Sequence, residues 1–244
     1  MLKLNCDLGE SFSLYRLGQD EAVMPLIDQA NIACGFHAGD PSVLRKTLEL
    51  AVVHQVEIGA HPSYDDKAGF GRRSVAMAAD ELRDLLWYQI AAVDGVARSL
   101  GSRVSYVKPH GALYNDMMRS PPLLQTVMTA VAAYHSQPAL MLLSDSHRDS
   151  YQQQADQLGL RLYFEAFADR RYQADGSLTP RSQPGAVLTE QQALSQVQLL
   201  LTQGQVEASD GSKMSLQADS LCVHGDTPAA LAMLQQIRQS LCRD

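Results

Sequence analysis

The chain has 244 residues, 45% of them apolar and 19% charged, and a formal net charge of −7. That composition belongs to a folded globular protein rather than a disordered one, and the length suits one α/β domain spanning residues 1–244 better than two. The acidic balance argues against a nucleic-acid face, which needs clustered basic residues, and no apolar run approaches a membrane span.

Short apolar runs alternate with amphipathic helices, the pattern of a mostly parallel α/β domain. Candidate strands fall at residues 2–6, 30–34, 56–60, 104–108, 139–143, 160–164, 185–188 and 220–223. Asp40-Pro41 supplies an N-cap and first-turn proline for a helix running to about His54. Residues 80–100 place Leu82, Leu86, Ile90, Val93 and Ala97 on one stripe, and Gly101 ends the helix. Ser120 opens another helix, Thr189 and Gln192 form a capping box for a helix closed by Gly204, and Thr227-Pro228 starts the last. Two segments break the rhythm. Residues 168–184 are polar and rich in turn formers, and read as a loop or lid over a site. Residues 205–219 carry Asp210-Gly211 and read as a small excursion or hairpin.

Polar residues concentrate where strands end. Asn5, Asp7 and Glu10 follow the first strand, His37 and Asp40 the second, and His61 the third. Lys108 and His110 close the fourth, Ser144 and Asp145 the fifth, Glu165 the sixth, and His224 and Asp226 the last. In a parallel barrel all such ends share one rim, so these residues should converge on a concave site. Gly35, Gly39, Gly59, Gly111 and Gly225 lie near the histidines, where tight turns or close ligand approach need a missing Cβ. Asp40, Asp145 and Asp226 are explained as helix caps, and His54, His135 and His147 as structural or solvent-facing residues. Asp7, His37 and His61 form a set that either binds a divalent metal or supplies acid, base and orienting groups without an ion. Residues 64–73 (YDDKAGFGRR) offer Arg72 and Arg73 for a carboxylate or phosphate, with Arg170, Arg171 and Arg181 as a second cationic group. Neither a P-loop nor a dinucleotide fingerprint occurs. Four cysteines (Cys6, Cys34, Cys222, Cys242) without a C-x-x-C pair, and an opening MLKLNCD without a leader pattern, point to free thiols and a cytoplasmic setting.

Six ordered blocks, LNCDLGE, NIACGFHAGDP, GAHPSYDDKAGFGRR, VKPHGALYN, EAFADRRY and VHGDTPAAL, span Asn5 to about Leu231. Together they resemble the LamB/YcsF family. The resemblance implies a seven-stranded (β/α) barrel related to glycoside hydrolases and deacetylases. It also implies ATP-dependent cleavage of 5-oxo-L-proline to L-glutamate, with separate B and C subunits and ATP as co-substrate, supplied with Mg. For that chemistry Asp7, Glu10, His61, Lys108 and His110 are the catalytic candidates. Asn5, His37, Arg72, Glu165, Arg170 and His224 are the substrate-binding ones. Two rival readings are a stand-alone metal-dependent amidohydrolase or deacetylase, and a non-catalytic substrate-binding subunit.

Overall fold

A computed structural model describes residues 2–223 and 228–241; His224 and Asp226 lie outside the described residues. In chain order the elements are β1 (Lys3–Leu8), α1 (Asp20–Val23), β2 (Gln29–Ala33), α2 (Pro41–Val53), β3 (Glu57–His61), α3 (Ala79–Ser99), β4 (Tyr106–Val107), α4 (Gly111–Arg119), α5 (Pro121–Ala132), β5 (Ala139–Leu143), α6 (Arg148–Gln157), β6 (Leu162–Phe167), α7 (Glu190–Gln203), β7 (Gln205–Glu207), β8 (Lys213–Ser215), β9 (Ser220–Cys222) and α8 (Pro228–Leu241). Seven parallel strands close into a barrel in the order β1-β2-β3-β4-β5-β6-β9. None of the described helices is long and apolar enough to cross a membrane.

The expected eighth strand at residues 185–188 is not part of the barrel. Val187 makes one isolated bridge to Arg170 and is half exposed, so this apolar run folds back on its own loop instead of joining the sheet. The hairpin expected around Asp210-Gly211 is present as antiparallel β7 and β8. Helices α1 and α4 are not among the expected elements, and α4 is the more consequential, since it begins immediately after His110.

Local signals set the helix ends. Asp40 caps α2 by accepting from the backbone N–H groups of Ser42 and Val43, both at 2.9 Å. Thr189 and Gln192 close a capping box on α7, whose C-terminal Gly204 is left-handed. The apolar stripe of α3 (Leu82, Leu86, Ile90, Val93, Ala97) is fully buried in the main core between barrel and helices.

The barrel interior is polar and hydrogen bonded from end to end. At the bottom, Glu57 accepts from Lys3 (2.8 Å), Gln29 (3.0 Å) and Tyr163 (3.2 Å). Ser220 donates to Gln29 and accepts from Asn5, both at 2.7 Å. Asn31 donates to the side-chain oxygens of Asn5 and Asp7 at 2.8 Å and accepts from the Tyr106 hydroxyl at 2.7 Å. The ladder thus satisfies groups that would be costly if buried alone. Beside it, Tyr106, Ala139 and Met141 form a small apolar cluster of their own. Gly59 serves this packing rather than a turn or ligand approach: a Cβ there would stand 2.3 Å from the Tyr106 ring. Gly59→Ala is therefore expected to lower stability by about 1–3 kcal/mol through overpacking. A urea-unfolding midpoint equal to that of the parent protein would refute this account of Gly59.

Candidate functional site

The rim at the strand C-termini surrounds a cavity of about 430 Å³. Asp7, Glu10, His61, Lys108 and His110 line it from the strand ends, and Arg72 and Arg170 from the loops after β3 and β6. Asn5, His37 and Glu165 stand behind this lining, each fully buried. Residues 168–184 form a built wall rather than a loose flap. The Arg170 guanidinium donates to the carbonyls of Thr179 (2.7 Å) and Ala186 (3.4 Å), and Leu178, Pro180, Arg181 and Ser182 complete that side. Arg72 and Arg73 part company: Arg73 pairs with Asp66 and holds that carboxyl down at about 2, while Arg72 faces the cavity.

Lys108 anchors the floor. Its ammonium is 2.9 Å from Glu165, 3.4 Å from Asp7, 3.1 Å from the Asn5 side-chain oxygen and 3.2 Å from the Cys222 sulfur. Burial alone would favour the neutral amine, but attraction to Asp7 and Glu165 outweighs it and raises the lysine well above its ordinary value. Glu165 thereby forms an ion pair beneath the cavity lining.

Above this floor three imidazoles meet. The rings of His37 and His110 stack with centroids 3.7 Å apart, and His61 meets His110 edge-on. The Nδ1 of His61 is 2.6 Å from the Lys108 carbonyl, and the Nε2 of His110 is 2.9 Å from the Phe70 carbonyl. A carbonyl only accepts, so those nitrogens carry the protons. The remaining nitrogens, Nε2 of His61 and Nδ1 of His110, face each other at 3.0 Å as lone pairs. Such a contact needs a positive charge between or beside the rings. Carboxylates stand near: Asp7 lies 3.4 Å from His61, and Glu10 lies 3.3 Å from His37 and 3.9 Å from His110. Burial, followed by neighbouring imidazoles, pushes His37 and His110 well below the ordinary histidine value, so protonation is resisted.

A divalent cation fits this donor set. Glu10, His37, His61 and His110 present ligand atoms all within 4.8 Å of one another. The Nδ1 of His37 is buried with no hydrogen-bond partner. Outer N–H groups donated to backbone carbonyls are the usual second support of metal-binding histidines. The expected ligand set of Asp7, His37 and His61 is revised accordingly. The loop after β1 brings in Glu10, and the start of α4 brings in His110, neither of which local spacing links to the other histidines. Gly71 permits the assembly, because a Cβ there would come within 2.8 Å of both His37 and His110.

Several supporting residues are not evident from the sequence. Asn31 and Tyr106 orient Asp7 from inside the barrel. Gln89 holds the exit of β3 by bonding both the N–H (3.0 Å) and the carbonyl (2.9 Å) of Ser63. Gln196 donates to the carbonyls of Phe167, Ala168 and Arg170. A buried glutamine on a helical stripe is the available signal, but its partner is invisible without the fold.

A seven-stranded parallel barrel with an imidazole–carboxylate centre on its C-terminal rim defines a hydrolase-like scaffold. The chain matches the LamB/YcsF family over residues 2–244 and belongs to that family. It is 54% identical to the 5-oxoprolinase A subunit of Pseudomonas fluorescens (strain Pf0-1) over 98% of this chain and 96% of the relative. It is 50% identical to the 5-oxoprolinase A subunit of Vibrio cholerae (strain ATCC 39541), over 98% and 97%. Among solved structures, a lactam utilization protein from Thermus thermophilus superposes with a TM-score of 0.90 at 36% identity, covering 99% of this chain and 96% of that one. A putative cellobiose-phosphate cleavage protein from Enterococcus faecalis V583 shares the fold, with a TM-score of 0.53 at 12% identity, over 99% and 94%.

Two measurements test this centre. Added Zn²⁺ or Mn²⁺ is expected to bind the chelator-treated protein at about one ion per chain and to raise its Tm, whereas His61→Ala should lose that rise. An unchanged Tm in the parent protein would exclude the site. In the metal-free protein, unfolded histidines take up protons below about pH 6.5 while folded His37 and His110 resist. The unfolded state then binds more protons, so stability falls as pH drops from about 7 to 5. The fall should shrink in His37→Asn, and parallel pH profiles for the two proteins would contradict the assignment.

Proposed function

We propose that this chain is the A subunit of an ATP-dependent 5-oxoprolinase. With B and C subunits in the cytoplasm it opens the lactam of 5-oxo-L-proline to L-glutamate, coupled to hydrolysis of ATP to ADP and phosphate. The observation that carries this reading is identity of 50–54% over 98% of the chain to proteins named as the A subunit of 5-oxoprolinase. The Thermus protein named for lactam utilization supports the same substrate class.

The chemistry suits the cavity. A lactam is a resonance-stabilised amide with a poor leaving group, and phosphoryl transfer from ATP to its oxygen would activate the ring carbon for attack by water. Water then adds to that carbon and the C–N bond breaks as the nitrogen takes up a proton, leaving an acyl phosphate that a second water cleaves to the L-glutamate carboxylate and free phosphate. Asp7 would accept the proton of water; Glu10, His61 and His110 would exchange protons with water and the ring nitrogen only in the ion-free site, since a cation takes up those same donor atoms. Lys108, locked in its ion pairs, fixes Asp7 in position. A cation held by Glu10, His37, His61 and His110 would supply Lewis-acid polarisation and lower the pKa of water. Nucleotide contact is assigned to the complex as a whole, since this chain carries no P-loop.

The donor cluster also favours a second reading, a stand-alone metal-dependent amidohydrolase. Glutamate and ADP formation from 5-oxoproline plus ATP, with and without the partner subunits, separates the two. We expect turnover only in the full mixture. Asp7→Asn and His61→Asn should reduce it about 10²- to 10⁴-fold. Hydrolysis without ATP would favour the amidohydrolase, and full activity in both variants would remove these residues from the chemistry.

A further inference from the structure

The cavity is chemically divided. Its lining holds five cationic side chains (Arg72, Lys108, Arg119, Arg170 and Arg181) against three carboxylates (Asp7, Glu10 and Asp20). The carboxylates all come from β1, the loop after it and α1. Lys108 is engaged with Asp7 and Glu165 on the floor. The four arginines arrive from three separate segments: the loop after β3, the end of α4 and the wall after β6. Arg170 is the deep member, almost fully buried, while Arg72 and Arg181 are exposed toward the mouth.

Arg170 is a built feature rather than a chance surface charge. Two carbonyls, of Thr179 and Ala186, fix the plane of its guanidinium. Gln196 donates to its own backbone carbonyl at 3.0 Å. Burial first, then the proximity of Arg181 and less so of Arg72, push the guanidinium down to about 10 against the pull of Asp169. A planar guanidinium fork matches the two oxygens of a carboxylate.

We propose that Arg170, with Arg181 and Arg72, forms the subsite for the carboxylate of the lactam substrate and selects 5-oxoproline over lactams that lack one. The inference rests on the 5-oxoprolinase reading and adds the substrate group recognised by this wall. The carboxylate and the lactam carbonyl of 5-oxoproline sit on opposite sides of the ring nitrogen. Holding the first at the arginines leaves the second to the imidazole–carboxylate centre.

The test is steady-state glutamate formation by the complete enzyme with Arg181→Ala and Arg170→Lys. Calorimetric binding of 5-oxoproline and 2-pyrrolidinone to this chain alone provides a second readout. Loss of a charge-assisted hydrogen bond should raise KM for 5-oxoproline about 10- to 100-fold, leaving KM for ATP unchanged. In calorimetry 5-oxoproline should outbind 2-pyrrolidinone, and Arg181→Ala should narrow the gap. Arg181 is exposed, so that variant tests the idea even if Arg170→Lys unfolds. A rise in KM for ATP alone would assign the arginines to nucleotide phosphate and overturn the proposal. Unchanged KM values, or equal or absent binding of the two lactams, would overturn it as well. An inactive parent mixture would count against the 5-oxoprolinase reading itself, with the binding comparison still deciding the arginine subsite.

Discussion

A single buried ammonium organises this molecule. Lys108 lies at the centre of the barrel, where an isolated charge would be prohibitively expensive. It is tolerated because Asp7, Glu165 and the Asn5 amide surround it. The consequence spreads downward, since Asn5 must then be oriented by Asn31 and Ser220, and Ser220 by Gln29. It also spreads upward, because the Lys108 carbonyl fixes the proton of His61. One residue thus helps fix both the position of Asp7 and the tautomer of its imidazole neighbour. A buried pair of this kind is weak evidence for stability; its value lies in the orientation it enforces.

That orientation is made durable by groups that never touch the cavity. Gln89 pins the chain two residues after His61, and Gln196 pins the turn that carries Arg170. Both are buried amides using helix positions to satisfy loop backbone, so the loops at the rim behave as extensions of the scaffold. A site needing carboxylates, imidazoles and guanidiniums within a few ångströms requires such support, because loosely held polar groups would solvate one another instead.

The split between an imidazole–carboxylate centre and an arginine wall follows from closure of the barrel. Asp7 and Glu10 leave from β1, while Arg170 leaves from β6, and β9 inserts between those strands. Both kinds of charge thus reach one cavity from strands on either side of β9.

Much of this is legible in the residues. Alternating apolar runs and capped helices announce a mostly parallel α/β domain, because those signals are local: Asp40 caps α2 and Thr189 caps α7 whatever lies around them. Strand-end placement also announces Asp7, His61 and His110 as rim residues, since parallel strands send every C-terminus to one side. What the chain alone cannot decide is which rim residues meet. Residues 185–188 have the composition of a strand but bridge only to their own loop at Arg170, outside the barrel. Gly59 has the surroundings of a turn residue, yet it is space for a tyrosine ring from the next strand. Glu165 has the position of a substrate ligand, yet its distance to Lys108 is set by closure of the sheet, 57 residues away in sequence. Glu10 joins the histidines for the same reason. Periodicity and capping act over a few residues and are written in sequence; ion pairs, tautomers and donor clusters depend on contacts across the barrel, which exist only once it has closed.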